Sequence, residues 1–280
     1  MKILVTGGDG FIGRYVQSRC KELGIEAFSF DIAGDIQQDV TEWDHLLWAI
    51  DQYEPDSIIH LAGLLGTHEL WGMAEDAIDV NIKGTLNVAR AALEADAKLV
   101  SIEQPHVWYN MYEATKFAAR RMLTGLHYDE GLRVDFVTAH NAFGPGQAHG
   151  PGHPQKIIPT FATHAWNGED IPIWGDGNQM VNLVYVGDIA DSLIQRALIP
   201  HGYPLEHFQA GTDTILAVRE VALKVLQHVA NSGGSIEADI DYRPSRKGEQ
   251  PVAYPEPDET FPFQFQDWQL AATIDSYRPE

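Results

Sequence analysis

A single cysteine, Cys20, occurs among 280 residues. An intramolecular disulfide framework and a multi-cysteine metal cluster are thereby excluded, and a reducing compartment fits. Basic residues are also scarce: 19 Lys and Arg stand against 40 Asp and Glu, a formal charge of −21. Such an excess of anions argues against nucleic acid or an anionic membrane surface as partner, and an anionic small ligand needs locally placed donors. The acidity fits either a salt-rich habitat or a need for solubility. No apolar run reaches the ~18 residues of a membrane span. Met1-Lys2 leads straight into Ile3-Leu4-Val5-Thr6, without a charged and apolar leader before it. A cytoplasmic protein is the expectation. Repeats and low-complexity tracts are lacking too, whereas 44% of the residues are hydrophobic. That is enough to bury a sizeable core in one or two domains.

Short β-rich runs alternate with helical patterns through the first half. Residues 2–6, 26–30, 57–61, 98–102 and 134–138 read as strands; 11–23, 41–51, 74–94 and 112–128 carry apolar residues at helical spacing. Such alternation predicts crossover units. The fold class is α/β, a Rossmann-type doubly wound parallel sheet spanning residues 1–140. Past Asn141, glycine and proline accumulate at 144–146, 150–152 and 175–177, and helices are expected only over 155–166, 188–198 and 216–230. Residues 141–280 then form mainly a smaller C-terminal substrate-binding lobe, with 182–200 returning to the first domain.

Directly after the first strand stands Thr6-Gly7-Gly8-Asp9-Gly10-Phe11-Ile12-Gly13, whose glycines at 7, 10 and 13 open a helix. Strand, tight turn and helix N-terminus in that order aim backbone N–H groups and the positive end of the helix dipole at one point, where a pyrophosphate can sit. Phe30-Asp31 ends the second strand, 24 residues after Gly7. A carboxylate there accepts hydrogen bonds from both hydroxyls of an adenosine ribose and repels a 2′-phosphate, so NAD is favoured over NADP. Asp39-Val40 is either a reach toward the adenine edge or an ordinary turn into the next helix.

These stretches are joined by His60-Leu61-Ala62-Gly63, Asn81-Ile82-Lys83-Gly84-Thr85, Tyr112 to Lys116, Asn141-Ala142-Phe143-Gly144-Pro145-Gly146, and Gly175-Asp176-Gly177 ahead of Tyr185-Val186-Gly187-Asp188. Together they resemble the extended short-chain dehydrogenase/reductase family, specifically its NAD-dependent nucleotide-sugar epimerases and dehydratases. The likeness covers Met1 to Leu198 and, more faintly, the chain to Glu249. The resemblance implies that Leu61, Ala62 and Gly63 line the cofactor, that Asn81 holds an active-site helix or water, and that Asn141 lies near the substrate. It also implies that Lys116 hydrogen-bonds the nicotinamide ribose. A homodimer through helices 74–94 and 112–128 follows from the resemblance as well, although their apolar positions equally suit packing on the sheet.

Tyr112 and Lys116 stand at i and i+4, on one helix face. A free phenol, pKa ~10, is a poor base at neutral pH, but a neighbouring ammonium and a nicotinamide cation favour the phenolate. The phenolate can take a proton from a carbinol while hydride leaves the same carbon.

Several positions depart from the family. Its members carry a Ser or Thr that hydrogen-bonds the reacting oxygen, whereas this chain reads Ser101-Ile102-Glu103-Gln104-Pro105-His106. Ser101 stands early there, and Ile102 or Glu103 takes the position. The segment from Glu103 to Tyr112 is shortened. Family dehydratases hold an acidic pair in it, of which Glu103-Gln104 keeps one carboxylate; Glu103 is thus either catalytic or a solvated loop acid. After Gly175-Asp176-Gly177 the family has an Arg that clamps the nucleotide diphosphate, but Gln179-Met180-Val181-Asn182 offers none. Arg246 matches a second Arg that meets the same diphosphate. His140, His149 and His153 do not make a metal site, because Gly150, Pro151, Gly152 and Pro154 break the helix their spacing would need.

Four functions follow. The favoured one is an epimerase that oxidises a sugar carbinol to a ketone and returns hydride to the opposite face. The others are a dehydratase using Glu103, an enzyme of net oxidation or reduction, and a non-catalytic dinucleotide-binding protein, against which Tyr112 and Lys116 speak.

Overall fold

The computed structural model describes residues 1–34, 38–105, 108–150, 153–200, 205–246 and 261–279. His106, Pro151, Gly152 and the stretch from 247 to 249 lie outside them.

Alternating side chains give the first strands two apolar faces. Lys2–Thr6 (β1), Glu26–Phe30 (β2), Ser57–His60 (β3), Lys98–Glu103 (β4) and Val134–Ala139 (β5) pair in parallel. Leu4, Ile58, Leu99 and Phe136 point to one face, under Trp43–Tyr53 (α2), Thr85–Glu94 (α4) and Met111–Glu130 (α5). Ile3, Val5, Ile59, Val100 and Val137 point to the other. There Val16 and Cys20 of Phe11–Leu23 (α1) meet Ile189, Leu193 and Ile194 of Val186–Leu198 (α7). Helices on both faces explain why these strands are apolar nearly throughout. A sixth strand that the pattern did not announce, His207–Ala210 (β10), pairs with β5, so the order is β10-β5-β4-β3-β1-β2.

The helix expected over 74–94 is interrupted. Ala74–Ile78 (α3) passes into a π turn over Asp79–Gly84 before α4 begins. Apolar spacing carries no mark of such a turn, which widens the helix locally and is common at functional sites.

The second lobe is built from short pairs: Asn141–Phe143 (β6) with Leu183–Tyr185 (β9), Ile171–Trp174 (β7) with Ile240–Arg243 (β12), and Met180–Val181 (β8) with Leu216–Ala217 (β11). Ile157–Asn167 (α6), Val218–Asn231 (α8) and Asp267–Asp275 (α9) enclose its core of Phe161, Trp166, Ile171, Ile173, Val221, Val225 and Leu270. The C-terminal residues thus supply a packed helix, and Trp166 Nε1–H donates to the Ile274 carbonyl at 2.9 Å. Among the described residues no helix is long and apolar enough to cross a membrane.

Candidate active site

A continuous cavity of about 620 Å³ runs along the carboxyl ends of β1 to β5 and under the second lobe. Its floor is the Gly-rich turn. Gly7 has φ +71°, and a Cβ there would lie 2.7 Å from Ala62 N; a Cβ on Gly13 would lie 2.3 Å from Gly7 O. The turn, the loop after β3 and the start of α1 can therefore approach only as glycines. Gly10 caps α1 without a side-chain hydrogen bond, leaving the first turn of N–H groups beside Phe11 and Ile12 on the cavity wall. That is a cradle for a pyrophosphate.

Asp31 stands on the same wall with its carboxylate oriented: Asp9 N–H donates to Oδ2 at 3.0 Å and Ala33 N–H to Oδ1 at 3.0 Å. Asp9 itself turns away, its Oδ1 accepting from Ser29 Oγ–H at 2.9 Å. It touches the site through its backbone alone. Gln38, Asp39 and Val40 extend this end of the wall, and Leu61, Ala62 and Gly63 line the middle. Asn81 lies behind the wall as a fastener. Its Oδ1 accepts from Leu64 N–H at 2.8 Å, and its Nδ2 donates to Leu64 O at 3.1 Å and Thr115 Oγ1 at 3.0 Å. The loop after β3 is thereby tied to α5.

Tyr112 and Lys116 face the cavity from the first turns of α5. Asn110 caps this helix, its Oδ1 accepting from Glu113 N–H at 2.9 Å, while Glu113 Oε1 accepts from Trp108 N–H at 2.8 Å. Burial raises the Tyr112 phenol above its usual range, and the carboxylates of Glu103 and Glu113 push it further the same way. The net shift is upward although Lys116 is buried on the same helix face. The expected assistance from Lys116 therefore does not by itself lower the phenol.

Glu103, the last residue of β4, also reaches the cavity and is 2% exposed. Burial raises its proton affinity, against the opposing pull of Lys116, Arg120 and a hydrogen bond from Ser101. It is not a solvated loop acid. Ser101, a catalytic candidate in the sequence, stays off the cavity wall and donates to Glu103 Oε1 at 3.3 Å, because it lies two residues back from the carboxyl end of β4, where Glu103 reaches the cavity.

The second lobe contributes Asn141, Lys156, Trp174, Gln179 and Arg246. Asn141 Oδ1 accepts from Asn182 N–H at 3.3 Å. The Arg246 guanidinium lies 4.3 Å from the Trp174 ring centroid and donates to Gln155 Oε1 at 2.6 Å. Lys156, which the sequence reading passed over, precedes α6; burial lowers its proton affinity and Glu69 opposes that. Its signal was available, since it is the sole Lys or Arg between residues 134 and 195.

The model of the NAD dependent epimerase/dehydratase family matches residues 3–104 and 100–201. The chain belongs to that family, within the extended short-chain dehydrogenases/reductases; it is an enzyme and its cofactor is NAD. Over 271 residues it is 27% identical to the low-salt glycan biosynthesis protein Agl12 of Haloferax volcanii, covering 85% of each chain. It is 25% identical to the dTDP-glucose 4,6-dehydratase of Neisseria meningitidis, over 69% of this chain and 66% of that one. Its fold matches the UDP-glucose 4-epimerase of Thermotoga maritima, solved with UDP-glucose, at a TM-score of 0.85 and 20% identity over 99% of both chains.

Proposed function

We propose that the protein is a nucleotide-sugar epimerase working through a transient keto-sugar, with Tyr112 as general base and Lys116 tuning it. One observation carries this: Tyr112 and Lys116 line the same cavity as the Gly7–Gly13 cradle and Asp31. Gly7, Gly10, Phe11, Ile12 and Gly13 hold the pyrophosphate of NAD, with Asp9 acting only through its N–H on Asp31. The Asp31 carboxylate takes the adenosine ribose, and Asp39 and Val40 border the adenine. Leu61, Ala62 and Gly63 pack along the cofactor, and Asn81 keeps their loop against α5. NAD⁺ held by these residues would supply a reversible hydride acceptor for the sugar carbon. Tyr112 takes the carbinol proton and gives it back. Because burial raises this phenol, a second positive charge near it beyond Lys116 favours the phenolate, which couples proton removal to the oxidised cofactor. Lys116 also holds the nicotinamide ribose. Arg246, over the Trp174 ring, and Lys156 supply the cations for a nucleotide diphosphate that the missing Arg after Gly177 does not. Asn141 lies beside the sugar.

Epimerisation is favoured over dehydration because elimination of water needs an acid at one carbon and a base at its neighbour. Of the described carboxylates around Tyr112, Glu113 is engaged at Trp108 N–H, leaving Glu103. The dehydratase reading keeps one observation in its favour: Glu103 is buried in the cavity wall and burial raises its proton affinity, which suits a group that exchanges a proton there.

The test uses the NAD-loaded protein with UDP-glucose, UDP-glucuronic acid and dTDP-glucose. A 4-epimer product with only transient absorbance of reduced cofactor is expected, and Tyr112→Phe should lose turnover by at least ~10²-fold while keeping its NAD. Unchanged turnover in that variant sinks the mechanism. A keto product lost in Glu103→Gln, with the first hydride step intact, selects dehydration. Reduced cofactor accumulating in proportion to substrate selects a dehydrogenase.

The protein acts as a homodimer in this reading. Ile78 of α3 and Phe117 and Tyr128 of α5 are 44, 49 and 76% exposed, an apolar surface suited to a second copy of the chain. A cytoplasmic setting agrees with its one thiol, Cys20, kept reduced and buried.

A further inference from the structure

We propose that the side-chain amide of Gln104 hydrogen-bonds the reacting oxygen of the sugar, filling by a different functional group the role for which no hydroxyl is placed. The inference rests on the epimerase/dehydratase chemistry above and adds a substrate-touching residue to it. Gln104 is the first residue beyond β4 and lines the cavity together with Glu103, Tyr112 and Lys116. Both of its polar atoms, Nε2 and Oε1, are buried, and neither meets a hydrogen-bond partner among the described residues. Burying an amide without a partner is costly, and one that lines a cavity in this state is placed to meet a partner that enters there.

The neighbouring hydroxyls are already committed. Ser101 Oγ donates to Glu103 Oε1 and is off the wall. Thr115 Oγ1 faces Met111 O at 2.9 Å and Tyr112 O at 3.0 Å and accepts from Asn81 Nδ2. Thr6 Oγ1 lies 2.7 Å from His60 Nδ1. Glu103 Oε2 is also buried and unpartnered; its carboxyl, with proton affinity raised by burial, exchanges a proton rather than offering a fixed N–H, and Glu103→Gln tests it separately. Among the described residues at the end of β4, Gln104 is the amide that lines the cavity with both its donor and its acceptor buried and unpartnered.

The chemistry this permits is specific. As the carbinol is oxidised, its O–H proton passes to the Tyr112 phenolate, the C–H electron pair leaves as hydride to NAD⁺, and the C–O bond becomes C=O. On the return the oxygen regains negative charge before it regains its proton. A Gln104 N–H donated to that oxygen stabilises it in both directions. An amide carries no acidic proton at neutral pH, so Gln104 polarises and orients and does not relay. Its Oε1 accepts from an adjacent sugar hydroxyl, which selects the carbinol presented to Tyr112.

The experiment follows absorbance of the reduced cofactor in the NAD-loaded protein mixed rapidly with UDP-glucose, UDP-glucuronic acid and dTDP-glucose. Gln104→Ala should slow cofactor reduction by ~10²–10³-fold with KM nearly unchanged and NAD retained. Gln104→Glu should be slow at neutral pH and recover relative to the parent protein as its carboxyl gains a proton and becomes a donor. Gln104→Leu should be as slow as Gln104→Ala yet unfold at the same or a higher temperature, since it removes an orphaned amide. Cofactor reduction at the parental rate in Gln104→Ala, or a lowered unfolding temperature in Gln104→Leu, overturns the inference. The two levels separate cleanly. If the parent protein reduces its cofactor with none of the three sugars, the enclosing reading fails; if it does so, and Tyr112→Phe is dead while Gln104→Ala is not, only the role of Gln104 fails.

Discussion

His60 shows how burial fixes protonation beside the site. Its Nδ1 lies 2.7 Å from Thr6 Oγ1 and its Nε2 2.9 Å from Thr85 Oγ1, and no part of it meets solvent. Burial, helped by the Lys116 charge, pushes its pKa down to about 3. Since the folded value lies below the unfolded ~6.5, the unfolded chain takes up a proton first on acidification. Stability is therefore full above that pH and is lost as pH falls toward 3. At pH 5 the loss from this residue is about 2 kcal/mol. His140, pushed down by burial to about 4, adds with the same sign. Glu103 has the opposite sign: with its proton affinity raised, its charged form costs stability at neutral pH, and acid relieves that cost. Urea unfolding at pH 7 and pH 5 should show His60→Asn losing about 2 kcal/mol less than the parent between the two. An identical loss in both proteins would refute the assignment. At this scale the sequence was readable where covalent spacing decides direction. Tyr112 and Lys116 share a cavity because i and i+4 share a helix face. Gln104 was not readable, because whether such a side chain meets a partner or the cavity depends on segments far away in the chain, whereas Lys156 was marked by being the lone cation of its stretch.

At the scale of elements, β4 and β5 are joined by a buried ion pair as well as by their ladder. Lys98 Nζ lies 2.7 Å from Asp135 Oδ2, with the two side chains 6 and 3% exposed, and it also donates to Arg196 O at 2.8 Å. One cation thus binds neighbouring strands to the end of α7. Removing only that cation strands a buried carboxylate, so Lys98→Met should cost ~3–5 kcal/mol, and Lys98→Met with Asp135→Asn markedly less. Denaturant midpoints of the two variants check this; equal losses would mean that the pair is not coupled. The same elements show why the first half was legible. Strands buried on both faces by helices leave continuous apolar runs, and β1, β2 and α1 fall at the expected residues. The second lobe resisted because β6, β8, β9 and β11 have two or three residues each, and their partners are brought together by the fold rather than by neighbouring sequence. The π turn at Asp79–Gly84 escaped for another reason: one wide turn barely disturbs a helical apolar pattern, yet it sets Asn81 against Leu64 and Thr115.

Over the whole molecule the dominant quantity is charge. With 40 acidic against 19 basic residues, the folded chain concentrates 21 excess negative charges, and their mutual repulsion opposes compaction and self-association alike. Salt screens that repulsion over a distance that shrinks from ~10 Å at 0.1 M to ~3 Å at 1 M. Salt should weaken attractive surface pairs such as Arg19–Asp191 as well, but exposed pairs contribute only ~0–1 kcal/mol each, so relief of repulsion wins. The unfolding temperature should therefore rise between 0.1 and 1 M KCl, a salt chosen because it acts mainly by screening, unlike sulfate, which strengthens apolar burial as well. Association should follow the same direction, since the apolar surface at Ile78, Phe117 and Tyr128 favours pairing while like charge resists it. Light scattering across the same range should show the dimer strengthening with salt, and Phe117→Glu should weaken it at every concentration. A monomer throughout would remove the dimer and leave the catalytic chemistry standing, because Tyr112, Lys116, Asp31 and Arg246 all line a cavity within one chain. A flat unfolding temperature would separate the acidity from stability and leave solubility as its reason.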